Sequence, residues 1–451
     1  MTMSAKIQLW FPSRFSHCFQ TETHNKYQPL QSISSSLQHK DLKQFCSSHH
    51  SVTMALKAVH VSDVSSLDIF PECPSFSLYS TRFSDGVQMS LAEFNVPKFL
   101  VIGHRGHGMN ALQSLDRRMK AIKENSITSF NAAASFPIDY IEFDVQRLVE
   151  KEIPRLRLFM SRRSVTNDDC PIIFHDDVIL TLNNGTLFEK KIRELCLSEF
   201  LAYGPQREAG KEGKALLRRN KDGKIVQWDV EQDDTLCTLE EAFLNVHPSL
   251  GFNIELKFDD HTVYEQDYLV HVLKAILKVV FDHAKDRPII FSTFQPDAAS
   301  LVKKLQSAYP VFFLTNGGCE IYEDVRRNTL DEALKLCLEN GLQGIVSEIK
   351  GVFRNPSLVT KIKESQLSLL TYGALNNVPE AVYIQHLMGI DGVIVDLVQE
   401  ITEVVANLIT SAMVVDEEGL TERIGKLHNK PQFSQKELSF LLNLIPQLIQ
   451  L

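Results

Sequence analysis

At 451 residues the chain can bury a large core, and a formal net charge of −9 with a pI near 5.9 gives no global electrostatic case for nucleic-acid binding. No run of ~18 apolar residues appears, which argues against a spanning helix. The eight cysteines are scattered, with no Cys-x-x-Cys pair and no zinc-ligand spacing, as expected of free thiols in a reducing compartment.

Residues 1–53 differ from the rest. They are rich in Ser, His and Gln, and their only acids are Glu22 and Asp41, against Lys6, Arg14, Lys26, Lys40 and Lys43. That composition fits an organelle transit peptide, or a plain disordered tail ahead of a second possible start at Met54. It lacks the compact apolar stretch of a secretory signal.

From residue 97 strand and helix signals alternate. Apolar runs predict strands over 99–104, 140–145, 251–257, 288–294, 311–315, 344–347, 368–372 and 392–396. Helices with visible caps lie between most of them. Asn125-Ser126 opens one that ends near Phe136, and Thr238 with Glu241 forms a capping box. Pro296-Asp297 starts another, with Pro where its missing N–H is harmless. Asn340-Gly341 closes the helix that begins near Thr329. Eight strands with intervening helices fit a closed parallel barrel, with a doubly wound open sheet as the alternative.

Two stretches interrupt the repeat. Residues 147–164 are basic and intervene before the strand ending His175-Asp176. Residues 177–237 carry Gly, Lys, Arg and Asp with little apolar rhythm. After about 411 the barrel is complete. A tail over 411–451 leads through a capping-box pattern at Ser434–Glu437 into a terminal apolar helix that packs on the barrel or meets a membrane or partner, with Pro446 kinking or ending it.

The chemistry sits in four charged patches at strand ends: Gly103-His104-Arg105-Gly106, Glu142-Phe143-Asp144, His175-Asp176 and Glu255-Leu256-Lys257. A strand alternates its faces, so Glu142 and Asp144 point one way together, as do Glu255 and Lys257. Inward carboxylates are costly unless a cation compensates them. One lysine cannot neutralise three acids, and an all-oxygen set suits Mg²⁺ or Ca²⁺ better than zinc. Taken alone, the residues leave a buried salt-bridge cluster and a metal site about equally open.

With Glu124-Asn125-Ser126 added, these motifs in this order resemble the glycerophosphodiester phosphodiesterase family over roughly 97–400. The wording of 103–110 and 313–318 is most similar to its plant plastid members. The resemblance implies an α/β fold, a TIM (β/α)8 barrel of the phospholipase-C-like phosphodiesterase type spanning 95–410, with 177–237 as a small insertion after the second strand. It gives 147–164 no counterpart, and that stretch reads as retained intron sequence or a gene-model error. It implies Glu142, Asp144 and Glu255 as metal ligands, with Glu124 a further candidate, and Mg²⁺ as the cofactor, Ca²⁺ as the alternative. It implies His104 and His175 as general acid and base, in unassigned order, and Arg105 and Lys257 as phosphate contacts. Ser292 and Tyr372 fall in the substrate cleft by resemblance; the reading of each as a plain polar strand cap, like Asp396, stays open. Gly103 and Gly106 either admit the ligand close to the backbone or only shape a turn.

A charge count agrees. Three acids against Arg105 and Lys257 leave −1, and a divalent ion makes the cluster +1, which suits a phosphodiester anion. The expected activity is hydrolysis of glycerophosphodiesters such as glycerophosphocholine and glycerophosphoethanolamine to glycerol 3-phosphate and an alcohol, in phospholipid breakdown and phosphate recycling. The expected partner is that small molecule alone, with neither nucleic acid nor a membrane span, and the expected location is the chloroplast, or the cytosol if translation starts at Met54. The competing readings are a lysophospholipase D and an inactive barrel that binds phosphate esters.

Overall fold

The computed structural model describes residues 98–148, 169–220, 222–260 and 262–410. The expected N-terminal extension, the C-terminal tail and most of the 147–164 stretch lie outside them.

Eight parallel strands close into a barrel: Leu100–Gly103, Tyr140–Arg147, Gly251–Leu256, Ile289–Thr293, Val311–Thr315, Gly344–Glu348, Ser368–Tyr372 and Gly392–Val395. Closure is set by the first strand, which pairs Leu100 with Gly392 on one side and Ile102 with Tyr140 on the other. The open-sheet alternative is thereby excluded. The expected caps also form: Ser126 accepts from the Ser129 amide, Thr238 and Glu241 make the capping box, and Gly341 ends its helix in the left-handed conformation at φ 64°.

Strand alternation divides each strand between two cores. Outward residues such as Phe143, Ile254, Phe291 and Ile345 pack against the helices. Inward residues Leu100, Ile102, Tyr140, Ile290, Phe312, Leu314, Val346, Leu370 and Ile394 fill the barrel. Each inward row runs on to a polar residue at the carboxyl end, so the same period that packs the interior delivers His104, Glu142, Asp144, Glu255 and Lys257 to the mouth.

The 177–237 stretch is more ordered than its weak rhythm suggests. It holds a four-stranded antiparallel sheet built on the hairpin Val178–Asn183 with Thr186–Lys191, extended by Leu217–Arg219 and Ile225–Gln227. Its own core includes Phe174, Phe200, Tyr203 and Trp228. Short strands read poorly because only a few positions in each are buried. Before it, Pro171–Ile173 runs antiparallel to the second barrel strand, pairing Ile173 with Val145, and so brings His175 back to the rim.

Candidate active site

Parallel register places Asp144 beside Glu255 on neighbouring strands, and Glu142 two residues below Asp144 on the same face. One carboxylate oxygen from each of the three lies within 4.8 Å of the others, all buried. Burial and the neighbouring Asp144 push the Glu142 carboxyl upward. Burial opposes the Asp144 charge as well, but Arg105, His175 and Lys257 outweigh it and hold that carboxyl below its usual range. Glu142 Oε1 is buried with no hydrogen-bond partner. Lys257 Nζ lies 2.9 Å from Glu255 Oε1 and 3.7 Å from Asp144 Oδ1. A crowd of acids, one lysine and an orphaned oxygen fits a hard divalent cation, and the donors are all oxygen.

Two turns bring the rim residues in. Arg105 and Asn125 adopt left-handed backbone at φ 51° and 54°. Such residues store strain and persist where contacts over-determine them. The Arg105 amide donates to Glu142 Oε2 at 2.9 Å, and Asn125 Nδ2 donates to Asp144 Oδ2 at 2.8 Å. The glycines of this motif serve the turn: a Cβ on Gly103 would meet Gly106 O at 2.1 Å, and Gly106, at φ 93°, packs on Ser129.

Arg105 is buried among carboxylates. Its Nη1 donates to Glu124 Oε1 at 2.7 Å, and its Nε lies 3.3 Å from Asp144 Oδ2. Glu124 is fully engaged, since Arg218 Nη1 also reaches Oε1 at 3.0 Å and the Asn110 amide donates to Oε2. Burial alone would raise the Glu124 carboxyl, but the two guanidiniums pull it down to about 2. It stands apart from the three-acid cluster, as a brace for Arg105.

The two histidines are held alike and biased oppositely. His104 Nδ1 lies 2.7 Å from Asp396 Oδ1, and His175 Nδ1 lies 2.7 Å from Asp176 Oδ1. In each case Nε2 is the nitrogen left to the cleft. His104 Nε2 is 3.9 Å from Glu142 Oε2. Burial disfavours a charged His104 ring, but Asp396 and Glu142 prevail and its pKa is raised. Burial, Arg105 and Lys257 together lower that of His175.

Sequence reasoning missed three supporting residues. Asp396 was legible as a charge at a strand end, but its pairing with His104 spans 292 positions. Asn377 fixes Asp396, donating to Oδ2 at 2.8 Å and accepting from its amide at 2.7 Å. Arg218, from the insertion, bridges Glu124 and Asp176 and stacks over Trp228 at 4.3 Å. Trp228 Nε1 in turn donates to Asn110 Oδ1 at 3.0 Å. Ser292 lies fully buried and donates to Asn253 Oδ1 at 3.0 Å, so it is an interior link. Tyr372 packs edge-on against Phe294, with centroids 6.1 Å apart, and its hydroxyl bonds Asn316 Oδ1.

The model of the glycerophosphoryl diester phosphodiesterase family matches residues 104–149 and 164–400, and so contains every residue of this constellation. The chain belongs to that family. It is 58% identical over 398 residues to glycerophosphodiester phosphodiesterase GDPD1, chloroplastic, of Arabidopsis thaliana, covering 88% of this chain and 100% of the relative. Glycerophosphodiester phosphodiesterase GDPD2 of the same plant is 56% identical over 408 residues, again covering 88% and 100%. Among solved structures, an Oleispira antarctica phosphodiesterase in complex with the product sn-glycerol-3-phosphate matches 68% of this chain and 96% of its own, at 20% identity and a TM-score of 0.45. The family match passes over 150–163, within the stretch that had no counterpart in the expected pattern.

Proposed function

We propose that this chain hydrolyses glycerophosphodiesters, among them glycerophosphocholine and glycerophosphoethanolamine, to sn-glycerol 3-phosphate and an alcohol. The observation that carries the reading is the convergence of Glu142, Asp144 and Glu255 within 4.8 Å, with His104 and His175 at the same mouth. The three carboxylates would hold Mg²⁺, or Ca²⁺ in its place; bound there, such an ion polarises a phosphoryl oxygen and offsets the charge of the diester.

The rest of the work falls to side chains of the chain. Lys257 and Arg105 present positive charge to the phosphate, and the turn around Arg105 keeps its guanidinium at the rim. His175, disfavoured as a cation beside Arg105 and Lys257, takes the proton of the attacking oxygen at Nε2. His104, favoured as a cation by Asp396, gives a proton from Nε2 to the leaving oxygen. Asp176 and Asp396 hold the Nδ1 atoms and so fix both rings. The 58% identical chloroplastic relative and the acid-poor opening favour a plastid location. No described helix is long and apolar enough to cross a membrane.

Release of sn-glycerol 3-phosphate from glycerophosphocholine, with and without chelator, tests the reading. Metal-dependent release that vanishes in Glu142→Gln and His175→Ala is the expected result. Release that survives chelation and both substitutions overturns it.

A further inference from the structure

His104 and His175 each lean on an aspartate, but the two aspartates are held by partners of different charge. Asp176 Oδ1 meets His175 Nδ1 at 2.7 Å and also accepts from Arg218 Nη2 at 3.0 Å, so a guanidinium shares its charge. Asp396 has no lysine or arginine in ion-pair contact among the described residues, and His104 is its one ionic partner there. Its other bonds come from neutral groups. The Met109 amide donates to Oδ1 at 3.1 Å, and Asn377 Nδ2 donates to Oδ2 at 2.8 Å. A neutral amide orients a carboxylate without offsetting its charge, so that charge stays directed at the His104 ring.

Asn377 is placed by a turn that is itself pinned. The turn Ala374–Asn377 follows the seventh barrel strand. Its Asn376 is fully buried and donates from Nδ2 to Thr371 O at 2.9 Å on that strand and to Ile394 O at 3.0 Å on the eighth. Gln385 Nε2, from the helix Pro379–Met388, donates to Asn376 Oδ1 at 2.9 Å. A buried polar network whose members are all bonded makes its surroundings rigid. Asn377 Oδ1 then accepts from the Asp396 amide at 2.7 Å and from the Leu397 amide at 3.0 Å. One side chain thus grips both the carboxylate and the backbone that carries it. The His104 amide donates to Val395 O at 2.9 Å, so the histidine hangs on the same frame as its aspartate.

We propose that Asn377 is the positioning residue of the general acid: it aims Asp396, and through it His104 Nε2, at the oxygen of the departing alcohol. As the phosphorus–oxygen bond breaks, its electron pair passes to that oxygen, which takes the proton from His104 Nε2. The proton of the attacking oxygen goes to His175. Asn377 acts through Asp396, so its effect falls on alcohols that need a proton to leave, such as choline and ethanolamine. An alcohol that leaves as a stable anion is spared. This inference rests on the proposed reaction and on the acid role given there to His104.

The test uses the full chain and compares glycerophosphocholine with the p-nitrophenyl ester of sn-glycerol 3-phosphate, whose alcohol departs without a proton. Asn377→Ala should lower kcat on glycerophosphocholine about 10²-fold, leave KM within about twofold, and lower kcat on the p-nitrophenyl ester by less than about threefold. In a His104→Ala background the same change should add no further loss. Should Asn377→Ala fail to fold, Asn377→Ser, which keeps a hydroxyl for the Asp396 and Leu397 amides, is read by the same criteria. Parent-like kcat on glycerophosphocholine, equal losses on the two esters, a change confined to KM, or losses that add to those of His104→Ala overturn the proposal. His104→Ala alone reads the acid role beneath it: a loss selective for glycerophosphocholine supports that role, and equal losses on both esters overturn it. Chelator-sensitive turnover of the p-nitrophenyl ester by the parent reads the hydrolase function separately, so the three ideas fail by different signals.

Discussion

Two groups of carboxylates stand side by side at the barrel mouth and are treated in opposite ways. Glu124 and Asp176 are threaded by Arg105 and Arg218, with the Asn110 amide and His175 taking further oxygens. Charge is matched there, and that wall is complete from within the chain. Glu142, Asp144 and Glu255 crowd one another instead, with Lys257 between two of them and one Glu142 oxygen unbonded. A buried acid paired with guanidinium braces a structure, whereas buried acids aimed at each other ask for an ion from outside.

The contrast is broken most severely at the second group. Glu142→Gln and Asp144→Asn should each lower metal-dependent kcat/KM by about 10³-fold or more, read with glycerophosphocholine. The melting temperature of Glu142→Gln should hold or rise, because that change removes a charge that burial and Asp144 disfavour. In the first group the opposite pattern is expected. Arg218→Met leaves Glu124 to Arg105 and the Asn110 amide and leaves Asp176 to His175, and should cost about 2 kcal/mol of stability in denaturant titration. Activity should also fall as Asp176 loosens its hold on His175.

Acid sharpens the distinction. Glu124 is held at about 2, below its ordinary value, so its contribution is fully present above the unfolded pKa of about 4.3 and is lost as pH falls towards the folded one. Glu124 should therefore contribute a loss of up to about 3 kcal/mol to unfolding followed from pH 6 downward in the parent, and a smaller one in Arg218→Met, where Arg105 still holds it. Metal acts on the other group alone. Saturating Mg²⁺ should stabilise the parent by roughly 2–3 kcal/mol at a hundredfold excess over Kd and leave Glu142→Gln/Asp144→Asn unmoved in a thermal melt. The smallest effect belongs to Ser292→Ala, in the interior layer: about 1 kcal/mol of stability and turnover within about twofold of the parent.

The barrel was legible because its signal is local. A strand buried on both sides is an apolar run, and all eight runs are barrel strands, with ends that shift by one or two residues, as at 140–145, which extends to Arg147. The carboxylate trio was legible for the same reason, since alternation fixes which side Glu142, Asp144 and Glu255 face. The partner of His104 and the second guanidinium on Glu124 were not. Asp396, Asn377 and Arg218 reach the site only through closure of the barrel and folding of the insertion, and no periodicity in a single stretch encodes a contact across 292 residues. The small sheet was hidden because its strands bury too few side chains to leave an alternation.

Trp228 and Arg218 make the excursion after the second strand a structural member of the catalytic wall. Engineers who transplant that module between relatives, to alter which headgroup is accepted, therefore inherit an obligation. The donor segment must carry an aromatic and a guanidinium at these two places. Otherwise the recipient's first loop loses its buttress, and a change meant for selectivity will register as damage to turnover.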